Sequence, residues 1–576
     1  MRRRSNVERR TPPEAKLGWT VRLAVSCAVV AAACWGAVTR AQAATELKYA
    51  FPPGGQRGTS VELTATGAFD PRPTRVWVER DGVAWGPVAL ATADAAEGDK
   101  SSELKRTATI ADDAAPAVYW FRLVGEEGAT SPCPFVVGHL PEIVEAENNN
   151  HWRTPQSLPT AESMIVNGVL SPRNDVDVFA VTLAAGQAVV AQIASHQLLD
   201  SPVDGVLEIV SATGAVLAQN DDHFGLDPRI AYVAPADGVY LVRVFGFPAS
   251  PNSTIGFDGG GDHLYRLLVS TGPYADSTWP LAVAAGTTTP IEVYGWNLAD
   301  GDRRLDVTAS AAGELPAELV GRYDDSQPLS VVPHGTAVEA AGDAPESFQA
   351  ITLPTTVTGR IEPDRDTDEF RFTAAANTVV EFRVESRGLG FALDPVLELF
   401  DGEGKSLVRV DDSEGGRDAV LTHTTPAEGE YRLVVSDLYR QGGPRYMYRL
   451  HATVAVPDFE FSVDQHAVVA TPEKPAELKL TITRQHGFAS EITFSVEDLP
   501  EGVTAAAPNS PAEGDASKAV TLTLSTTATG YSGPIRILGR AERGDAEISH
   551  VAQAPIPGHT ATTPTVWLTT RAATGE

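Results

Sequence analysis

A stretch of roughly a hundred residues occurs twice in this chain, and the duplication limits the possible folds more than any other feature. Val166-Asn167-Gly168 aligns with Val357-Thr358-Gly359 at an offset of 191, as do Pro172, Asp175, Asp177 and Phe179 with Pro363, Asp366, Asp368 and Phe370. At an offset of 190, Asp204, Val206-Leu207-Glu208, Gly214 and Asp221-Asp222 match Asp394, Val396-Leu397-Glu398, Gly404 and Asp411-Asp412. Pro235, Gly238 and Tyr240 then match Pro426, Gly429 and Tyr431, and Tyr265-Arg266-Leu267 matches Tyr448-Arg449-Leu450 after a longer loop in the first copy. Order, spacing and residue type agree throughout, so each copy is one folding unit used twice.

The copies and the rest of the chain read as strands. Thr74–Arg80, Ala117–Val124, Gly238–Val244, Val379–Glu385 and Glu477–Thr483 are short apolar or alternating runs bounded by Gly, Pro, Asp and Asn. No amphipathic helix of three turns stands out. Each copy has an acidic turn, a strand with Phe179 or Phe370, a strand ending Leu-Glu-aliphatic, a Gly hairpin, an Asp-Asp turn and a Tyr-containing strand. That is the content of a β sandwich of about eight strands. The fold class is therefore all-β, a tandem of β sandwiches.

Both copies resemble the bacterial pre-peptidase C-terminal domain, a jelly-roll family that includes the collagen-binding domains of clostridial collagenases. The Asp-x-Asp-x-Phe run, the Pro-x-x-Gly-x-Tyr run and the closing Tyr-Arg-Leu carry the resemblance, over about 140–272 and 340–455. The remaining segments are similar to immunoglobulin-like units of bacterial surface proteins. The expected domains are a signal peptide at 1–43, an immunoglobulin-like domain at 44–140 and a first jelly roll at 141–272. A small immunoglobulin-like domain at 273–338, a second jelly roll at 339–455, a further immunoglobulin-like domain at 456–560 and a flexible tail at 561–576 follow.

The N-terminus has the pattern of an export signal. Arg2, Arg3, Arg4, Arg9, Arg10, Lys16 and Arg22 precede the apolar run Leu23–Val38, and Ala41-Gln42-Ala43 forms a small-x-small cleavage site. An uncleaved anchor is the competing reading, since the run approaches spanning length. A lipobox at Cys34 is disfavoured by the preceding Ala31-Ala32-Ala33. The expected location is the periplasm, the cell surface or the medium, with no membrane span after cleavage. The net charge of −30 argues against a nucleic-acid partner, whose phosphates demand Lys and Arg. Three cysteines exclude a disulfide scaffold, and Cys133, the one left after cleavage, reads as an inert thiol.

No His-Glu-x-x-His or Gly-x-Ser-x-Gly run exists. Gly58-Thr59-Ser60 sits among turn residues without a following helix, and His151 reads as a surface or packing residue. The expectation is a chain that is not an enzyme. The acidic spacing carries more. In the collagenase branch of the family, a Glu-x-Glu-x-Asn linker and Asp residues before the first core strand enclose calcium, which takes six to eight oxygens. The resemblance thereby implies Glu145, Glu147, Asn149, Asn150, Asp175 and Asp177 as metal ligands. Asn148 stands where the family usually has proline. The second copy keeps Glu339, Asp364, Asp366 and Asp368 but lacks the second Glu and the Asn pair, so a full site is not expected there. Asp258-Gly259-Gly260-Gly261-Asp262 is a hairpin insertion before it is a metal loop. Trp77, Trp85, Trp152, Trp279, Trp296 and Tyr439 are core or staple residues before they are a ligand platform.

The function these readings point to is binding or spacing at the cell surface or outside the cell, with calcium as a stabiliser. The expected partner is an extracellular polymer, a matrix protein or a glycan. The alternative is a component of a secreted, subtilisin-type peptidase system.

Overall fold

A strand whose side chains alternate between water and protein interior needs only one apolar face, and this chain meets its burial requirement strand by strand. Glu103–Ile110 and Ala476–Gln485 alternate exposed and buried residues over most of their length. The computed structural model describes residues 45–69, 71–86, 103–159, 162–248, 256–313, 316, 318–319, 329–340, 348–413, 416 and 418–572. The expected signal segment 1–43, residues 341–343 of the second acidic linker, and 573–576 lie outside the described residues. Helix among the described residues is limited to the short α turn His196–Leu199 and three 3-10 turns.

The protein is a tandem of β sandwiches. Among the described residues five large hydrophobic cores form, each from one stretch of chain: Leu47 to Val137, Val166 to Val269, Ala275 to Val331, Ile351 to Ala452, and Phe459 to Leu568.

The second and fourth sandwiches have the same topology. In the second, one sheet runs Glu142–Val144, Ser163–Val169, Leu264–Ser270, Ala188–Ala194, Arg229–Val233. Its other sheet runs Gln156–Ser157, Val176–Leu183, Gly238–Gly246, Gly205–Ser211, Val216–Asn220. In the fourth, the order is Gly335–Val338, Thr355–Arg360, Met447–Val454, Val379–Glu385, Val420–Thr424 against Gln349–Ala350, Thr367–Ala374, Gly429–Asp437, Pro395–Phe400, Ser406–Val410.

Each sheet is five-stranded, so each repeated unit holds more strands than the expected eight. The additional ones come from the acidic linker. Glu142–Val144 and Gln156–Ser157 pair in parallel with one edge of each sheet, as do Gly335–Val338 and Gln349–Ala350. They are too short to register as strands in sequence, and their backbone groups are satisfied by the neighbouring edge.

Part of the stretch expected as a flexible tail, 561–576, is built into the last sandwich. Val566–Thr570 is a wholly buried strand, parallel to Ala467–Ala470 and antiparallel to Ser532–Arg543. Val566, Trp567 and Leu568 are the reason: three consecutive apolar side chains inside a Thr-rich stretch enter the last core and the surface it shares with the first sandwich.

That shared surface is built on Arg122. Its buried guanidinium donates to the carbonyl of Thr130 at 2.9 Å and to His466 Nδ1 at 3.0 Å, and lies over the Trp567 ring. Trp77 meets Trp567 edge-on at 5.4 Å, and Arg571 pairs with Glu127 at 2.6 Å. Burial and the Arg122 charge push His466 down to about 4, so it accepts as a neutral ring.

Candidate functional site: an acid pair under a tyrosine in each repeated sandwich

The closing Tyr-Arg-Leu of each repeat sets out the site. Strand alternation sends Leu267 and Leu450 into the cores. Arg266 reaches back to the linker and grips Glu142 with both Nη atoms at 2.7 and 2.9 Å, while Arg449 pairs with Glu385 at 2.6 Å. Tyr265 stands directly across from Gly168, and Tyr448 from Gly359. Each ring folds over its glycine: a Cβ at Gly168 or Gly359 would overlap the ring of Tyr265 or Tyr448.

Under each ring lie two carboxyls. Tyr265 Oη is 2.7 Å from Glu145 Oε2 and 2.8 Å from Asp177 Oδ2. One hydroxyl has one proton to donate, so the second short contact is satisfied when one carboxyl is protonated and donates in turn. Burial, then the charge of Glu145, pushes Asp177 up to about 9, and burial also raises Glu145. In the fourth sandwich Tyr448 Oη donates to Asp368 Oδ2 at 2.6 Å. Burial, then Asp368, pushes Glu339 up to about 9, and burial raises Asp368. Each pair therefore retains one proton between its members at neutral pH. The linker glutamates also accept backbone N–H groups, Glu145 from Val169 at 2.6 Å and Glu339 from Arg360 at 2.7 Å. Linker, first core strand and last core strand are thus joined at one point.

The other expected ligands of the first copy divide around this pair. Asp175 folds back on its own turn, accepting from the N–H of Ser171 at 2.8 Å and of Val176 at 2.9 Å, and Asn150 donates to it as well. Asp366 makes the same turn contacts with Glu362 and Thr367. Glu147 is exposed. Asn149 is 2% exposed, and neither Oδ1 nor Nδ2 has a partner among the described residues. Asn148 takes φ 73, a region closed to proline with φ locked near −65°.

All the candidate donors are oxygens, the chemistry a hard cation wants, and the unused Asn149 amide is a spare one. As folded, however, no three His, Cys, Asp or Glu side chains converge on a metal position among the described residues. The Glu145–Asp177 pair is closed by the Tyr265 hydroxyl.

Tyr265 was singled out in sequence only as part of a repeat motif, and Glu339 only as a linker residue. Their equivalence across copies is the signal that would have found them.

Elsewhere, the Ser60 hydroxyl faces Thr109 Oγ1 at 3.2 Å on the surface. Exposed His151 accepts from the N–H of Arg153 at 3.1 Å. Burial pushes the Cys133 thiol up to about 12. His263 lies 2.9 Å from Asp262 and 3.6 Å from Asp258 within the Gly-rich hairpin. Trp77, Trp85 and Trp296 pack on other aromatic rings, Trp152 lies against Gly214 and Trp279 beneath Arg360, while Tyr439 is 69% exposed.

No family model matches the chain. A probable subtilase-type serine protease of Deinococcus radiodurans is 28% identical over 237 residues, which are 40% of this chain and 26% of that protein. The chain thus spans about a quarter of that relative's length. Among solved structures, the pre-peptidase C-terminal domain of a Bacillus anthracis collagenase aligns at 16% identity and TM-score 0.15, over 20% of this chain and 100% of its own. PliG of Aeromonas hydrophila, a periplasmic inhibitor of g-type lysozyme, aligns at 16% identity and TM-score 0.16, over 22% of this chain and 97% of its own. Fibronectin(III)-like modules of Clostridium thermocellum CbhA align at 13% identity and TM-score 0.13, over 41% and 95%.

Proposed function

We propose that this chain is an exported, non-catalytic string of β sandwiches that binds or spaces at the cell surface or outside the cell. The observation that carries this reading is the pinning of the two like-folded units on the sandwich between them. Asp276 of that sandwich pairs with Arg229 of one unit and with Arg445 of the other, the latter at 2.9 Å. Two units held in one relation suit a spacer or a two-point binder of an extracellular polymer, matrix protein or glycan. The acid pairs, turned inward and held by tyrosine hydroxyls and backbone N–H groups, suit a structural role.

Calcium belongs to the same proposal. When bound it would be held by Glu145, Glu147, Asn149, Asn150, Asp175 and Asp177, and would supply the positive charge that lets the carboxyls ionise. The pre-peptidase-type identity of both units is likewise our reading, resting on the shared sequence motifs and the shared strand order.

The 28% identity with the probable subtilase-type protease favours a second reading, a component of a secreted peptidase system. A casein-cleavage assay of the full chain, with and without a serine-protease inhibitor, separates the two. No turnover is expected, and inhibitor-sensitive turnover would sink the non-catalytic reading.

A further inference from the structure

In the first sandwich, Ala117–Gly125 turns Tyr119, Phe121 and Leu123 into the core and Arg122 away from it, with Trp77 opposite Arg122 on the neighbouring strand. In the last sandwich Val566 and Leu568 join the core, and Trp567 between them faces out toward Trp77 and Arg122. Around this centre Arg75 donates to the Ser532 carbonyl, Glu79 accepts from Thr563 at 2.9 Å, and His559 meets Trp120 edge-on at 4.7 Å. The two ends of the tandem thus meet along a seam.

Contacts also run from each sandwich to the next. Arg266 of the second lies against Gly54 of the first, and Arg229 pairs with Asp276 of the third. Arg449 of the fourth donates to the Leu281 carbonyl of the third at 3.4 Å, and His486 of the last lies 3.3 Å from Glu381 of the fourth. The seam between first and last closes the circuit.

The Arg122–His466 hydrogen bond at the seam has a fixed direction. A guanidinium only donates, so the imidazole must accept, and Nδ1 has a lone pair to offer only without a proton. A proton there removes the acceptor and sets two cations 3.0 Å apart beside a buried arginine. The neighbouring charges are engaged elsewhere: Glu79 with Thr563, Glu127 with Arg571, Arg75 with Ser532, and Asp464 with the N–H of Lys479 at 3.1 Å. Half-buried His559 is a second titratable ring at the seam, and Asp200 of the second sandwich, beside it, offsets its charge.

We propose that this seam is an acid-released clasp: with His466 neutral it holds the first and last sandwiches together, and a proton on His466 lets them part. Burial and the Arg122 charge lower His466 from its ordinary 6.5 to about 4 in the closed form, and the opened ring regains 6.5. The open form binds the proton that the closed form rejects. Closure is therefore full above about pH 6.5 and weakens as pH falls toward 4.

The test is hydroxyl-radical footprinting of the full chain, wild type and His466→Asn, from about pH 7.5 to about pH 5.5, above the range in which solvated carboxylates titrate. Oxidation of Trp77 and Trp567 reads the seam. Trp85, packed on Phe121 and Phe135, reads the integrity of the first sandwich. In wild type the open fraction should rise about tenfold over this interval, and the Trp77 and Trp567 rates with it, at a constant Trp85 rate. His466→Asn puts an amide oxygen where Nδ1 stood and cannot charge, so its seam rates should not change with pH. A variant that is open at every pH, but flat, still assigns the titration to His466. Flat seam rates in wild type overturn the proposal, as does a His466→Asn chain whose rates rise with the wild-type midpoint. A rise shared by Trp85 also overturns it, because the first sandwich is then unfolding rather than letting go.

Discussion

At the residue scale, the shared proton makes stability depend on pH in a definite direction. In the unfolded chain Glu339 titrates near its ordinary 4.5, whereas in the folded protein it is pushed up to about 9. Between those values the folded form keeps a proton that the unfolded chain has released, so stability is full below about pH 4.5 and is lost as pH rises toward 9. Glu339→Gln preserves both contacts, because its amide oxygen accepts from Arg360 N–H and its amide nitrogen donates to Asp368. The variant should flatten the dependence and outlast wild type at pH 9 by about 1 kcal/mol or more, roughly 4–8 °C for a unit of this size. Melting curves from pH 5 to 9 check this; parallel wild-type and variant curves would remove the proton from the account. Gly359→Ala should cost about 1–3 kcal/mol, because the new methyl overlaps the Tyr448 ring. The aligned Gly168 and Gly359, Asp177 and Asp368, and Tyr265 and Tyr448 were all legible in the sequence. That they meet was not, because the pairing across strands that stacks tyrosine on glycine is a property of register, which one sequence does not display.

At the element scale, the linker is where sequence and structure part. Glu145 looked like a metal ligand on a connecting segment, yet its neighbours Glu142–Val144 form an edge strand. Three residues carry too little periodicity to be read as a strand. The same segment gives the calcium test. A ligand that binds only the folded form adds about 2.7 kcal/mol at a hundredfold excess over Kd. Millimolar calcium should slow proteolysis across 141–160, and more so as pH rises, because the metal must displace the shared proton. The linker at 335–350, without the second Glu and the Asn pair, should respond less. Equal cleavage with calcium and with chelator at both linkers would leave the pairs as proton-held locks only. The last strand gives a second test. Composition hid Val566–Thr570, since threonine is common in tails and in strands alike, and only Trp567 flanked by two apolar residues marks burial. Trp567→Ala should cost about 3–5 kcal/mol, and a chain ending at 560 should lose the last sandwich's cooperative unfolding.

At the scale of the whole molecule, one carboxylate sets how the two repeated units face each other. Asp276 pairs with Arg229 through Oδ1 and with Arg445 through Oδ2. Arg229 lies over the Phe224 ring at 5.5 Å, that ring sits against Gly390 of the second unit, and Arg445 donates to the Gly390 carbonyl at 2.7 Å. The contacts close a loop through both units and the sandwich between them. His223, a titratable neighbour of all three, is pushed down to about 4 by burial and by the two arginines, so it adds no charge at neutral pH. Asp276 is then a negative charge shared by two cations. Asp276→Asn keeps the shape and removes that charge, leaving Arg229 and Arg445 to repel across a partly buried gap where solvent screens poorly. The two units should separate without unfolding: the radius of gyration in solution scattering should increase, and exchange around 220–229 and 387–391 should quicken. The melting of each core should change by less than about 1 kcal/mol, because the node lies outside both. Added salt should partly restore the compact form by screening the two arginines. If scattering from Asp276→Asn superimposes on wild type at low salt, apolar contact such as Phe224 on Gly390 holds the units together, and the ion pairs are incidental to their arrangement.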